Sequence, residues 1–230
     1  MNNYYIGIID ESQDEILDIE RTILINKPEN VMEDQISFVD YPLPGDAKTL
    51  PDETTKAAIK NIIEGALHAL IVDYKIIVES TCIEGTEIFE RISSLLPKFP
   101  IMILTNVPDD CYAKAFVDAD KVYAKHDFFK VDEDYSKEKT LNIFRNIENY
   151  KHQCARLSAS LGEQLSALAS RGYVPEIYQE IIRLEKELSE YLPQEQTTLE
   201  KDLKLAELTE AVELLREANQ LLEGNDKNEN

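Results

Sequence analysis

The chain has 230 residues, 43% of them hydrophobic, which suffices for one sizeable core and a smaller second unit. Its net charge of −21 disfavours binding to nucleic acid or to anionic membranes, because these surfaces repel a strongly acidic protein. No apolar run is as long as a membrane span, and the first residues lack the basic and apolar segments of a secretory signal. The three cysteines lie far apart without metal-binding spacing, so we expect reduced thiols and a cytoplasmic protein.

Apolar runs alternate with helical patterns through the first part of the chain. Five strands are predicted by the segments YYIGII, ISFV, ALIV, IMILT and KVYAK. The first helix follows Ser12, where the pattern SQDE fits a capping box with Glu15 at its third position. The other helices are predicted in ETTKAAIKNIIEGA, GTEIFERISSLL and DDCYAKAF, and from about Ser136. This alternation predicts a five-stranded parallel, doubly wound α/β sheet with helices on both faces.

Polar residues follow or end four of these strands. They are Asp10, Glu11, Asp73, Thr105 and Lys125. The carboxyl ends of parallel strands share one edge, where such sheets bind ligands, so these side chains should converge. Clustered carboxylates raise each other's pKa unless a cation lies between them, and oxygen ligands suit Mg²⁺. An aspartate can also act as a nucleophile and form an acyl phosphate, while Lys125 and Thr105 can hold phosphoryl oxygens.

With the pieces IIDE, LIVDYKI, IMILT and KVYAK in this order, residues 4–150 resemble the receiver domain of two-component response regulators. The resemblance implies the flavodoxin-like receiver fold, with Asp73 as the phosphoacceptor. It implies that Asp10, Glu11, Asp73 and the backbone carbonyl of Lys75 hold Mg²⁺. It also implies that Thr105 and Lys125 sense the phosphoryl group.

The sequence departs from the family pattern near the fifth strand and in two loops. His126 follows Lys125, where the family usually has proline, and Val122 stands where its switch aromatic commonly lies, with Tyr123 one place nearer the lysine. The link YKIIVESTCIEG after Asp73 is longer than usual, as is the proline-rich loop after the second strand. These loops are expected to adapt the site to a particular partner.

Each of these residues has a plainer interpretation when it is taken singly. Asp73 could cap a turn, Thr105 could be an ordinary β-branched strand residue and Lys125 a surface charge.

Two further fold classes fit the sequence less well. A haloacid dehalogenase fold would place an aspartate two residues after the nucleophile, where Lys75 stands. A nucleotide-binding domain would have a glycine-rich first turn, and IIDESQDE has no glycine.

The second part of the chain is almost continuously helical and less acidic. Residues 1–134 carry 12 Lys/Arg and 27 Asp/Glu, whereas residues 135–230 carry 12 and 18. We predict a receiver over 1–134 whose last helix continues to about residue 150, a helical interaction module over 151–223 and a disordered tail over 224–230. Gly172 and Pro175 mark one break between helices, and LPQEQTT marks a second. Heptad-like stripes, including one from Leu205 to Leu222, predict a helical hairpin, a bundle or a coiled coil.

The expected function is that of a cytoplasmic response regulator that signals through protein contacts. A histidine kinase or phosphotransfer protein would donate the phosphoryl group, and an effector or a second copy of the chain would bind the C-terminal helices. Any enzymatic activity would be limited to self-phosphorylation and dephosphorylation. Two alternatives stay open, namely a phosphoryl sink without an output and a non-phosphorylated receiver-like scaffold.

Overall fold

The computed structural model describes residues 3–41, 43, 46–78, 80–114, 116–172 and 174–193. These residues belong to one compact unit that extends from Met1 to Pro193. The helix predicted around Leu205 to Leu222, most of the break LPQEQTT and the predicted disordered tail lie outside the described residues.

Strands and helices alternate through the described part of the chain. The strands are β1 (Tyr4–Ile9), β2 (Ile36–Asp40), β3 (Ala69–Asp73), β4 (Lys75–Val78), β5 (Thr81–Glu84), β6 (Ile101–Thr105) and β7 (Val122–Ala124). The α-helices are α1 (Gln13–Asn26), α2 (Leu50–Ile63), α3 (Thr86–Leu95), α4 (Pro108–Tyr112), α5 (Lys125–Phe128), α6 (Asp134–Arg171) and α7 (Pro175–Ser189).

Five of the strands form a single parallel sheet in the order β2-β1-β3-β6-β7. This is the order of flavodoxin-like doubly wound folds, in which the strand order reverses at the boundary between β1 and β3. The predicted α/β fold class is therefore confirmed. Ligands of such sheets bind outside the carboxyl ends of the strands at this reversal.

Both faces of the sheet are buried, because alternate residues of each strand enter opposite cores. Ile71 and Leu104 belong to a core that includes α1 and α6, whereas Val72 and Ile103 belong to a core that includes α2 and α3. A strand buried on both faces has a nearly continuous apolar sequence, which explains why ALIV and IMILT carry no polar alternation.

The register between β1 and β3 positions the site. Ile9 is aligned with Val72 in this parallel pair, so the next residues along the two strands, Asp10 and Asp73, come to the same edge of the sheet. A one-residue slip would exchange the side chains that enter the two cores, so side-chain packing on both faces favours this register.

The link after Asp73 contains a hairpin that the sequence analysis missed. Strands β4 and β5 pair antiparallel as a separate two-stranded sheet. Ile76 faces Ile83 in this pair and both are buried, whereas Ile77 is exposed, so the hairpin packs one face inward. Strands of only four residues leave too short a pattern to be recognised in sequence.

Several predicted boundaries were wrong near the carboxyl edge. Strand β7 ends at Ala124 and Lys125 opens the short helix α5, so the predicted fifth strand extends one residue too far at each end. Helix α4 is only five residues long, shorter than the predicted segment DDCYAKAF. Helix α2 begins at Leu50 rather than in the predicted segment, because Pro51 suits the first turn of a helix.

Helices α6 and α7 form the predicted hairpin. Gly172 ends α6 in a left-handed conformation with φ of 73°, and Pro175 opens α7. Leu157 of α6 packs against Leu184 and Leu188 of α7. Helix α6 passes residue 150 without a break, and the division proposed there stays a prediction.

The segment after α7 packs against α6 and the loop before β6. The Tyr150 hydroxyl donates to the Tyr191 carbonyl at 2.9 Å, and the Lys98 backbone N–H donates to the Glu190 carbonyl at 3.0 Å. Phe99 meets Tyr150 edge to face with ring centroids 5.4 Å apart, a favourable arrangement for two aromatic rings.

Among the described helices, none combines the length and apolarity that crossing a membrane requires.

Candidate functional site

Asp10, Asp73, Thr105 and Lys125 lie buried at the carboxyl edge of the sheet. Asp10 follows β1, Asp73 ends β3, Thr105 ends β6 and Lys125 follows β7. Glu11 lies at the same edge and is exposed. The Thr105 hydroxyl oxygen accepts the Val107 backbone N–H at 3.0 Å, which leaves its own proton available to another acceptor.

Asp10 is held on both carboxylate oxygens. Oδ1 accepts the backbone N–H of Ser12 at 2.8 Å, and Oδ2 lies 2.9 Å from Lys125 Nζ. Burial raises the pKa of Asp10 above its usual range, and the hydrogen bonds from Ser12 and Lys125 oppose that rise. Asp10 is therefore a fixed component of the site with little freedom to move.

Asp73 is also held at both oxygens. Oδ1 lies 2.6 Å from Lys125 Nζ, and Oδ2 accepts the Lys75 backbone N–H at 3.0 Å. Burial raises the pKa of Asp73 to about 6; Lys125 opposes this rise, whereas the charges of Asp10 and Glu11 add to it. Asp73 is thus ionised at neutral pH and can act as a nucleophile.

Lys125 joins the carboxylates from its position directly after β7. Its ammonium contacts Asp10, Asp73 and Glu15, and only 4% of its side chain is exposed. Burial lowers the pKa of Lys125, but the charge of Asp73 and hydrogen bonds to all three carboxylates outweigh burial and hold the pKa above its usual range. Lys125 is therefore a permanent positive charge at this edge.

Glu15 belongs to this cluster, although the sequence analysis assigned it only to a capping box. The Ser12 hydroxyl accepts the Glu15 backbone N–H at 3.3 Å, as the capping box predicts. The reciprocal bond is absent, because the Ser12 N–H donates to Asp10 and the Glu15 side chain contacts Lys125 instead. The position of Glu15 in the first turn of the helix after β1 was the one sequence signal for this role.

Three carboxylates form a set that could hold a metal ion. Oxygen atoms of Asp10, Glu11 and Asp73 lie within 4.8 Å of one another. With Glu15, four carboxylates of the described residues lie at this edge together with the Lys125 ammonium, so an additional cation would be stabilised there. The Lys75 backbone lies beside Asp73, and the predicted role of its carbonyl as a further ligand stays a prediction.

The β4–β5 hairpin and α4 border the site. The Gly85 N–H donates to the Tyr74 carbonyl at 2.7 Å and draws the end of the hairpin against the Asp73 backbone. Lys114 lies 2.5 Å from Glu84, which links the hairpin to the segment after α4. The described residues of the link, 74–78 and 80–85, therefore form one wall of the site.

Tyr123 and His126, two residues near β7 that depart from the receiver pattern, differ in burial. Tyr123 is buried, with its ring centroid 6.2 Å from that of Phe128 and 5.2 Å from Lys139 Nζ. His126 is exposed. Tyr123 is thus part of the core beneath α6 rather than a surface aromatic.

The site and sheet together resemble those of a receiver. The sequence matches no protein-family model, and comparison with curated proteins gives no match. The protein is therefore a flavodoxin-like α/β protein with an acidic cluster at the β1–β3 reversal and a helical hairpin formed by α6 and α7.

Proposed function

We propose that this protein is a response regulator that accepts a phosphoryl group on Asp73. The observation that supports this most directly is the pairing of the buried Asp73 carboxylate with the buried Lys125 ammonium 2.6 Å away. Both groups lie at the edge of the sheet where doubly wound folds bind their ligands, beside further carboxylates.

In the proposed reaction, an Asp73 carboxylate oxygen attacks the phosphorus of a phosphohistidine on a histidine kinase or phosphotransfer protein. The new O–P bond forms as the P–N bond breaks, and the imidazole keeps the electron pair and takes up a proton. Lys125 donates to a phosphoryl oxygen and Thr105 offers its hydroxyl proton to another. These contacts stabilise the negative charge on the transferred group.

The donor set at this edge fits Mg²⁺, which binds through a few carboxylates and keeps several waters. Asp10, Glu11 and Asp73 would hold it, with the Lys75 carbonyl as a further ligand. When bound, Mg²⁺ would neutralise charge shared between the carboxylates and the phosphoryl oxygens.

The output of the proposed regulator is protein contact through its C-terminal helices, either with an effector or with a second copy of the chain. Helix α6 starts ten residues after Ala124 at the end of β7 and packs on the sheet, so a change at that strand would reach the hairpin directly. The strongly acidic charge favours protein partners over nucleic acid or membranes. This charge and the proposed protein contacts support a cytoplasmic signalling role.

Intact-mass measurement tests the proposal. The full-length protein is incubated with Mg²⁺ and acetyl phosphate, alongside Asp73→Asn and the control Asp132→Asn, which alters an exposed aspartate outside the site. We expect one phosphoryl adduct on wild type and on the control and none on Asp73→Asn. An adduct that persists on Asp73→Asn, or a wild type that neither gains an adduct nor binds beryllofluoride, would contradict the proposal.

Sedimentation of the phosphorylated protein separates an output regulator from a phosphoryl sink. An output regulator that acts by self-association is expected to change its oligomeric state on phosphorylation. A sink would carry the adduct with an unchanged oligomeric state and an unchanged affinity for its partners.

A further inference from the structure

We infer that the Glu15 carboxylate occupies one N–H donor of Lys125 in the unphosphorylated protein. An incoming phosphoryl oxygen must displace Glu15 to bind this donor. This inference rests on the proposed phosphorylation of Asp73. It assigns Glu15 as a positioning residue that acts through Lys125 and sets how readily the site accepts a phosphoryl group.

The first observation is that the Lys125 ammonium is fully occupied. An ammonium has three N–H donors, and three carboxylates contact Lys125 Nζ, those of Asp10, Asp73 and Glu15. Because only 4% of the Lys125 side chain is exposed, water does not provide a spare position. A phosphoryl oxygen therefore gains a bond to Lys125 only when one carboxylate leaves.

The second observation is that the three carboxylates differ in their freedom to leave. Asp10 is 1% exposed at its side chain and is held by the Ser12 N–H, and Asp73 is 9% exposed and held by the Lys75 N–H. Glu15 is 36% exposed, and Lys125 is its one side-chain partner among the described residues. Glu15 can move into water at the lowest cost, since its carboxylate regains hydration there.

The negative charge of Glu15 opposes binding of a phosphoryl group. While it is paired with Lys125, it neutralises part of the charge that would attract a phosphoryl group, and it repels the anionic donor. Removing the charge weakens the contact that occupies this Lys125 donor, so a phosphoryl oxygen displaces it more readily. Competition from a partly exposed ion pair is modest, so a gain of about threefold to tenfold in affinity for a phosphoryl mimic is expected.

Beryllofluoride, a mimic that binds aspartate without a covalent transfer step, provides the probe. Its affinity in the presence of Mg²⁺ is measured by NMR titration for the full-length wild type, Glu15→Gln and Asp14→Asn. Asp14 is the matched control, because it lies in the same helical turn, is exposed and loses the same charge. We expect Glu15→Gln to bind about threefold to tenfold more tightly than wild type and Asp14→Asn to stay within about twofold.

The melting temperatures of the three proteins distinguish competition for Lys125 from a general effect on stability. Tighter binding by Glu15→Gln without a matching change in melting temperature is the expected result. Equal gains in Glu15→Gln and Asp14→Asn, or no gain in Glu15→Gln while wild type binds, would overturn this inference alone. Failure of all three proteins to bind beryllofluoride, together with the absence of a phosphoryl adduct on wild type, would overturn the proposed function and this inference with it.

Discussion

Gly85 allows the hairpin to lie directly against the Asp73 peptide, and its replacement by alanine is the sharpest test of this packing. A Cβ at Gly85 would lie 1.9 Å from the Asp73 carbonyl oxygen and 2.8 Å from Val72 Cγ1. The Gly85 φ of −60° is open to every residue, so the conflict is purely steric. Because the nearest atom belongs to the backbone, rotation of a side chain cannot relieve it.

The expected loss of stability follows from these distances. A carbon and an oxygen normally stay more than about 3 Å apart, so the hairpin or β3 must move by roughly 1 Å or more. Overpacking of this kind costs about 1–3 kcal/mol. The same movement weakens the bond from the Gly85 N–H to the Tyr74 carbonyl, worth about 1 kcal/mol. We therefore expect Gly85→Ala to lower the free energy of unfolding by about 2–4 kcal/mol.

Urea unfolding followed by far-ultraviolet circular dichroism measures this loss, with Gly162→Ala as the control. A Cβ at Gly162 would meet nothing within 4 Å, and Gly162 lies inside α6, so its replacement should stabilise the protein by up to about 1 kcal/mol. The phosphorylation rate should also fall in Gly85→Ala, because the Asp73 peptide is displaced. A Gly85→Ala protein as stable as wild type would refute the proposed packing of the hairpin.

Two further predictions concern the parts of the fold that flank the site. His68 Nδ1 accepts the Tyr5 N–H, and burial, with the charge of Lys151, lowers the pKa of His68 to about 4. Since the unfolded chain binds this proton below about pH 6.5 and the native state does not, wild type should lose roughly 3 kcal/mol of stability as the pH falls from about 6.5 to about 4. His68→Asn keeps an acceptor for the Tyr5 N–H and should lack this part of the pH dependence. The free energy of unfolding is measured in urea at each pH, and parallel profiles for wild type and His68→Asn would contradict the prediction. Tyr150→Phe removes the hydrogen bond to the Tyr191 carbonyl and should lower the free energy of unfolding by about 1 kcal/mol. Protease cleavage near α7 should become faster. Unchanged cleavage would argue against docking of α7 through this bond.

Local sequence pattern was sufficient for most of the regular elements. YYIGII and IMILT were predicted as strands with the same limits as β1 and β6, and Gly172 and Pro175 marked the turn between α6 and α7. These features depend on the chemistry of neighbouring residues, namely apolar runs, the conformational freedom of glycine and the fixed φ of proline. The same pattern led to Asp10 and Asp73, because a polar residue that ends a buried strand must emerge at the edge of the sheet.

Local sequence pattern did not predict two features of the structure. The β4–β5 hairpin is too short for its alternation to be recognised, and it is stabilised by burial of Ile76 and Ile83 against the rest of the fold. Glu15 has the sequence signature of a capping residue, and its contact with Lys125 exists because a strand distant in the chain delivers that ammonium to the first turn of α1.

The sequence by itself determined the alternation of strands and helices, the acidic character of the protein and the residue types available at the carboxyl edge. The tertiary structure alone decided that Lys125 contacts Asp10, 115 residues earlier, and Glu15, 110 residues earlier. It also decided that burial holds the pKa of Asp73 near 6. The physical reason is that short-range pattern sets backbone conformation, whereas ion pairing and desolvation depend on which distant strands become neighbours in the sheet.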